Sequence, residues 1–246
     1  MFRRLKEISE RFSNESNVLI YQMGKVGSTS LEKSIPNSIH IHTLYGNAPC
    51  WVFQKQHRSG IRALFGFIGD LIKRSCILKR KKVKIITLVR DPYKRNLSMF
   101  FQDISHWIYN YLGSKGADCR TDDNEFLFQV FENSFDQDYL HLWFDKEIRR
   151  FTGIDVYNRN FSDLGFELYK KDKFEVLLLR AEDLNDNIKI IEEFLGFEIS
   201  FSSSNVGDNK WYSSLYKDFR IQAEDKLLTY KQNLKKSRFY RHFYKV

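Results

Sequence analysis

The densest chemistry in the chain lies at Gly24-Lys25-Val26-Gly27-Ser28-Thr29-Ser30, which combines one cation, two glycines and three consecutive hydroxyl residues. It follows the apolar run Val18 to Gln22 and precedes a helical pattern, so it reads as strand, turn and helix start. Such a turn aims backbone N–H groups and a positive helix end at one point, which suits a phosphate. Lys25 adds a mobile cation, and the hydroxyls add donors. A plain β-to-α turn would use one Ser or Thr as an N-cap; Lys, two Gly and three hydroxyls exceed that need. A Walker A loop has four residues between its glycines and Lys after the second. Here two residues separate Gly24 from Gly27, and Lys25 precedes Gly27. No G-x-G-x-x-G dinucleotide fingerprint is present either.

A second segment runs from Lys84 through Val89 as a buried strand, ends in Arg90-Asp91-Pro92, and opens a helix that carries Ser98. A strand-end Arg can grip a phosphate with paired donors, and Ser98, two turns into the helix, adds a hydroxyl. A salt bridge from Arg90 to Asp91 or Glu182 is the plainer alternative. A third feature is Ser38-Ile39-His40-Ile41-His42, where the two imidazoles share one face because strand side chains repeat every two residues. A strand-end histidine can take the proton of an attacking hydroxyl. His42 fits that place better than His40, with His106 and Asp103 in reserve, although paired histidines on a strand can also simply pack.

The order Lys25-x-Gly27-Ser28-Thr29 is similar to the 5′-phosphosulfate loop of sulfotransferases that use 3′-phosphoadenosine 5′-phosphosulfate (PAPS). Arg90-Asp91-Pro92 with Ser98 resembles the 3′-phosphate segment of the same superfamily, and His42 resembles the strand histidine that serves as base in its polysaccharide-modifying members. Asn209-Lys210-Trp211-Tyr212-Ser213, together with Trp143-Phe144-Asp145 and the segment from Gly153 to Tyr157, resembles the capsular polysaccharide synthesis family recognised by an Asn-Lys-Trp-Tyr-Ser motif. These resemblances cover most of the chain, from Val18 to about Tyr216. They imply an α/β chain with a three-layer P-loop, nucleotide-kinase-like sulfotransferase fold around a central parallel sheet. They also imply transfer of sulfonate from PAPS to a carbohydrate hydroxyl, leaving 3′-phosphoadenosine 5′-phosphate. In that scheme Lys25 and His42 are catalytic. Gly24, Lys25, Val26, Gly27, Ser28, Thr29, Ser30, Arg90 and Ser98 hold the donor. Lys210 closes over its phosphates, and the Trp211 ring stacks on adenine or a sugar. A helix entry with Trp211 in the core is the bland alternative. Leu178 to Leu184 also looks like a sulfotransferase segment and is read as structure, a strand end whose acids cap the next helix.

To position these residues the chain needs short strands alternating with helices, hence crossovers and a mainly parallel sheet. The predicted strands are Val18–Gln22, Ser38–His42, Val83–Val89 and Glu175–Leu179. Predicted helices run from Thr29 to Ser34, Ala48 to Ile72 and Pro92 to Tyr111. Four more run near Asn124–Ser134, Asp138–Phe151, Leu184–Leu195 and Leu215–Lys235. Gly153 and Gly196 are placed as αL caps. One compact domain over 1–246 is expected, with an N-terminal helix or arm over 1–16 and a basic tail over 236–246.

Composition sets the remaining bounds. Aromatic residues make up 16% of the chain, enough to fill a core, and a charged fraction of 29% is ordinary for a globular protein. A net charge of +9 predicts an anionic partner. Lys73, Arg74, Lys79, Arg80, Lys81, Lys82 and Lys84 form one run without an acid, and the tail after Lys226 forms another. Such runs are more often solvated faces than binding sites. Cys50, Cys76 and Cys119 are odd in number and widely spaced, which argues for reduced thiols and against a disulfide framework or zinc site. The basic N-terminal stretch lacks the apolar core of a signal peptide, and the longest apolar stretch is too short for a membrane span. A bacterial cytoplasmic location is the resulting expectation. Two other functions fit parts of the chain: an ATP-dependent kinase-like enzyme, which would want a metal-binding acid near Lys25, where no Asp or Glu stands in the loop and Glu32 is the nearest, and a non-catalytic binder of acidic glycan or nucleic acid. The basic, aromatic tail from Ser237 to Tyr244 keeps the nucleic-acid version in view.

Overall fold

The computed structural model describes residues 2–46, 61–113, 123–201 and 210–245. The chain divides into two compact units, one of Met1–Arg90 with Leu142–Ser203 and one of Asp91–His141 with Ser204–Val246.

The first unit is α/β. It holds α1 (Phe2–Ser13), β1 (Val18–Tyr21), α2 (Thr29–Ser34), β2 (Ser38–Ile41), α3 (Ile61–Lys79), β3 (Val83–Val89), β4 (Phe166–Lys171), β5 (Phe174–Arg180) and α8 (Ile188–Leu195). The five strands lie in the order β2-β1-β3-β5-β4; β4 alone is antiparallel, forming a hairpin with β5. β1 and β3 are buried along almost their whole length, as continuous Val/Ile/Leu runs in a parallel sheet should be. The predicted strands are all present to within a residue or so. β4 was not expected. Only Tyr169 of its six residues is buried, so it carries no period-two signal, and its turn uses Asp172 at φ 51° where a glycine would have announced a hairpin.

The basic run from Lys73 to Lys84 is largely consumed inside this unit. Lys73 pairs with Asp70 at 2.8 Å, and Arg74 Nη1 donates to Leu44 O at 2.7 Å. The buried Arg80 donates to Phe12 O and Asn17 O, closing the end of α1. Lys84 Nζ donates to Phe194 O and Leu195 O, the last carbonyls of α8, whose end is turned by Gly196 at φ 87°. Gly153 is likewise an αL cap, at φ 70°. The helix expected from Ala48 lies partly outside the described residues; the described part runs on to Lys79 instead of stopping at Ile72.

The second unit is helical: α4 (Pro92–Gln102), α5 (Ile104–Leu112), α6 (Asn124–Ser134), α9 (Ser213–Lys226), α10 (Leu228–Lys236) and α11 (Arg238–Tyr244). The single helix predicted from Pro92 breaks at Asp103, and the one predicted to Lys235 breaks at Leu227. Phenylalanine rings build the core. Phe128 stacks on Phe219 at 4.1 Å, Phe131 on Phe135 at 5.0 Å, and Phe100 sets its edge to Phe131 at 5.2 Å. Tyr93 Oη donates to Ala223 O, and Asn96 Nδ2 to Tyr230 Oη, tying α4 to the C-terminal helices. Burial pushes the Tyr230 phenol up to about 12, so it stays protonated.

Between His141 and Leu142 the chain passes from one unit to the other within α7 (Tyr139–Trp143). It continues as a π-helical segment, Phe144–Arg149, and a last turn, Arg150–Thr152, where one regular helix was predicted.

Candidate functional site

Parallel strands put the ends of β1, β2, β3 and β5 on one edge of the sheet, and β1 has β2 on one side and β3 on the other. The chain therefore reverses direction around β1, and the crevice beyond the ends of β1 and β3 is where open α/β sheets bind ligands. The Lys25 loop leaves β1 there, and Arg90 ends β3 there. The two touch: Arg90 Nη1 donates to Lys25 O at 3.2 Å.

Within the loop φ alternates in sign over four residues. Lys25 has φ 69° and Gly27 φ 88°, Ser28 has φ −70°, and Val26 is negative. Alternation of this kind turns successive N–H groups inward as an anion nest. Lysine gains nothing from φ 69°, a left-handed conformation that strains a residue bearing a Cβ. Gly27 is required by its dihedral angle, since an added Cβ would meet Ala181 at an ordinary 3.9 Å.

Ser28 departs from expectation. It stands at the N-cap of α2 but makes no cap hydrogen bond; its hydroxyl donates to Glu32 Oε1 at 2.5 Å. The same oxygen lies 2.9 Å from His40 Nδ1. Burial by itself would raise the Glu32 carboxyl, but the hydrogen bonds from His40 and Ser28 outweigh it and hold it below the ordinary carboxylate range. Glu32 thus links the loop to the histidine pair, a role not visible in the sequence.

His40 and His42 are brought together, with ring centroids 4.2 Å apart. His42 lies just past β2, and its Nδ1 faces Gln22 O at 3.2 Å. The tautomer that makes this bond carries its proton on Nδ1 and its lone pair on Nε2, the form that can accept a proton. His40 is oriented by Glu32 on one side and by Gln22 Nε2, 3.4 Å from its Nε2, on the other.

The exit of β2 is held from below. Trp143 Nε1 donates to His42 O at 3.1 Å. Glu147, in the π-helical segment and fully buried, accepts from Thr43 Oγ1 at 2.7 Å, from Leu44 N at 2.8 Å and from Tyr21 Oη. Burial, and then the neighbouring Glu147 charge, raise the Tyr21 phenol well above its usual value. π-Helical turns recur at functional sites; this one puts Trp143 and Glu147 under a single stretch of backbone.

Gly24, Lys25, Val26, Gly27, Ser28, Thr29, Ser30, His42 and Arg90 thus all belong to the first unit. Ser98 and Lys210 belong to the second. Ser98 sits half-buried on α4, whose entry explains the Arg-Asp-Pro sequence: Asp91 caps it by accepting from Lys94 N at 2.9 Å, and Pro92 takes the first turn. Lys210 Nζ donates to Gln102 Oε1 at 2.7 Å. Trp211 is 65% exposed and Tyr212 is the buried ring of that motif, so the reading that put Trp211 in the core is corrected. His106 is buried against Trp107, with burial lowering its pKa, and belongs to the ring cluster of the second unit. Asp183 does not cap α8; it pairs with Arg180.

No helix among the described residues is long and apolar enough to cross a membrane. One family model matches residues 118–245; its description is "Putative capsular polysaccharide synthesis protein". No curated protein and no solved structure matches the chain.

Proposed function

Because the chain belongs to the capsular polysaccharide synthesis family, we propose that it transfers a sulfonate group from PAPS to a hydroxyl of a capsular or extracellular polysaccharide or its precursor. The fold read this way is a three-layer P-loop sulfotransferase fold. The observation that carries the proposal is the Lys25–Ser28 alternation joined to Arg90 at the switch point of the sheet. The loop amides and Lys25 take the sulfonate and the 5′-phosphate; one such preorganised donor is worth about 10²–10³-fold in rate. Arg90 takes the 3′-phosphate and fixes the register of the donor. For Ser28 to join them, its proton must turn from Glu32 to the anion.

In the transfer itself the acceptor oxygen attacks sulfur while its proton passes to His42 Nε2. The bond from sulfur to the 5′-phosphate oxygen breaks, and 3′-phosphoadenosine 5′-phosphate leaves with the negative charge. General-base catalysis of this kind contributes about 10²–10⁴-fold. Glu32, the acid nearest the loop in sequence, is already engaged by Ser28 and His40, which favours this reading over an ATP-dependent kinase that would need it for a metal.

Thermal unfolding with ligand tests the proposal. At about 100 times its Kd a nucleotide that binds only the folded chain stabilises by about 2.7 kcal/mol. 3′-Phosphoadenosine 5′-phosphate should raise Tm clearly, and ATP with magnesium only weakly. Equal or reversed shifts would remove the sulfotransferase reading.

A further inference from the structure

Three tryptophans lie among the described residues, and they divide sharply: Trp107 and Trp143 are 2% and 0% exposed, Trp211 is 65% exposed. A lone exposed apolar side chain is ordinary. Trp211 differs in how it is held. Its ring stands edge-on to Tyr212 at 5.5 Å, and Tyr212 is itself buried against Phe101 at 5.8 Å, so the indole is rooted in the aromatic core. Lys210 Nζ also meets Tyr212, 5.4 Å from the ring centre, and donates to Gln102 Oε1. An exposed indole and an ammonium that both meet Tyr212 offer a flat apolar surface for the C–H face of a pyranose and a charge for an acidic substituent on it.

The C-terminal segment that begins at Lys210 is basic. Residues 210–245 hold ten basic and three acidic side chains, a net of +7 out of the chain's +9. Arg238 and Arg241, three residues apart, are exposed on α11, while Phe239 and Phe243 fill the core. Net positive charge on this scale raises the local concentration of an anionic chain.

We infer that Trp211 and Lys210 form the binding site for the acceptor, an acidic polysaccharide carrying uronic acid or similar anionic pyranose units. The inference rests on the carbohydrate-acceptor reading above, and it moves Lys210 from the nucleotide to the sugar. Uncharged glycans lack the group that Lys210 would meet. Nucleic acid would engage the basic helices without needing the indole.

Oligogalacturonate titrated into the full chain, without nucleotide, tests it through tryptophan emission and calorimetry. The exposed-indole component should shift to the blue and saturate. In Trp211→Ala that change should disappear and affinity should fall about tenfold or more, with Trp211→Phe retaining most of the heat and Lys210→Gln weakening it. Dextran oligosaccharides should bind far more weakly. An unsaturable response, an equal response in Trp211→Ala, equal binding of dextran, or tighter binding of a dT20 oligonucleotide would each overturn the inference. Because no nucleotide is present, failure of the PAPS reading leaves this result interpretable, and the reverse holds too. Trp211 is exposed, so its variants should match the wild type in Tm.

Discussion

Replacing Glu147 by alanine would strand three donors at once: the Tyr21 hydroxyl, the Thr43 hydroxyl and the Leu44 N–H. A hydrogen bond to a charged acceptor is worth about 1.5–3 kcal/mol, a raw sum of about 4.5–9 kcal/mol. Removing the carboxylate also removes its own desolvation cost, which brings the expected loss to about 3–5 kcal/mol. That is a large share of a domain's stability, about 5–15 kcal/mol. Glu147→Gln should be milder. Its carbonyl can serve the two donors at Oε2, while its amide faces Thr43, whose hydroxyl can turn to accept; the cost should be about 1–2 kcal/mol. Tyr21→Phe should fall between, at about 1.5–3 kcal/mol. Urea unfolding followed by far-UV ellipticity and tryptophan emission, with an unchanged m value, measures the series. A pH series adds a second check. The folded Tyr21 phenol is raised, so its share of stability is whole below about pH 10, the unfolded value, and is lost as pH rises beyond it. Tyr21→Phe should flatten that alkaline limb. If Glu147→Ala cost less than about 1 kcal/mol, or if Gln were as damaging as Ala, the carboxylate would not be what holds the exit of β2.

Two further outcomes follow from the histidine pair and its carboxylate. His42→Ala should lower turnover by about 10²-fold or more with nucleotide affinity nearly unchanged, and the ascending limb of the pH–rate profile should vanish; His40→Ala should be milder, and an essential His40 with a dispensable His42 would move the base to the other ring. The Glu32 carboxyl is depressed in the folded chain, so its contribution is complete above the ordinary carboxylate value, near 4.5, and is lost as pH falls below it. Glu32→Gln should therefore flatten the acid limb of stability below about pH 4.5, measured as the urea midpoint; parallel curves would refute the hydrogen-bond account.

What could be read from sequence was what depends on local order. β3 is legible because six of its seven consecutive residues are buried, and the Lys25 loop because cation, glycine and hydroxyls are adjacent in the chain. α6 and the αL caps at Gly153 and Gly196 were legible for the same reason. What escaped depends on partners far away. Glu147 meets Tyr21 across 126 positions, and nothing near Glu147 signals a π-helical turn. Glu32 reaches His40 only because α2 returns the chain to β2. The basic run was misleading for the same reason. Arg80 and Lys84 are cations without a local acid, and the carbonyls they serve belong to α1, the turn after it, and α8.

The pairing of β3 has a consequence during synthesis. Its partner β5 begins with Phe174 opposite Val83, ninety-one positions later. At about 5–20 residues per second, β5 follows β3 out of the ribosome only after about 5–20 s. For that interval Val83-Lys84-Ile85-Ile86-Thr87-Leu88-Val89 has one open edge, and its composition is that of a segment prone to pair with other chains. Lys84 is its one charge, placed where a charge interrupts such pairing. The same ammonium later finds the carbonyls of Phe194 and Leu195. It serves the nascent strand first, by keeping it apart from its neighbours, and the finished fold second, by closing α8.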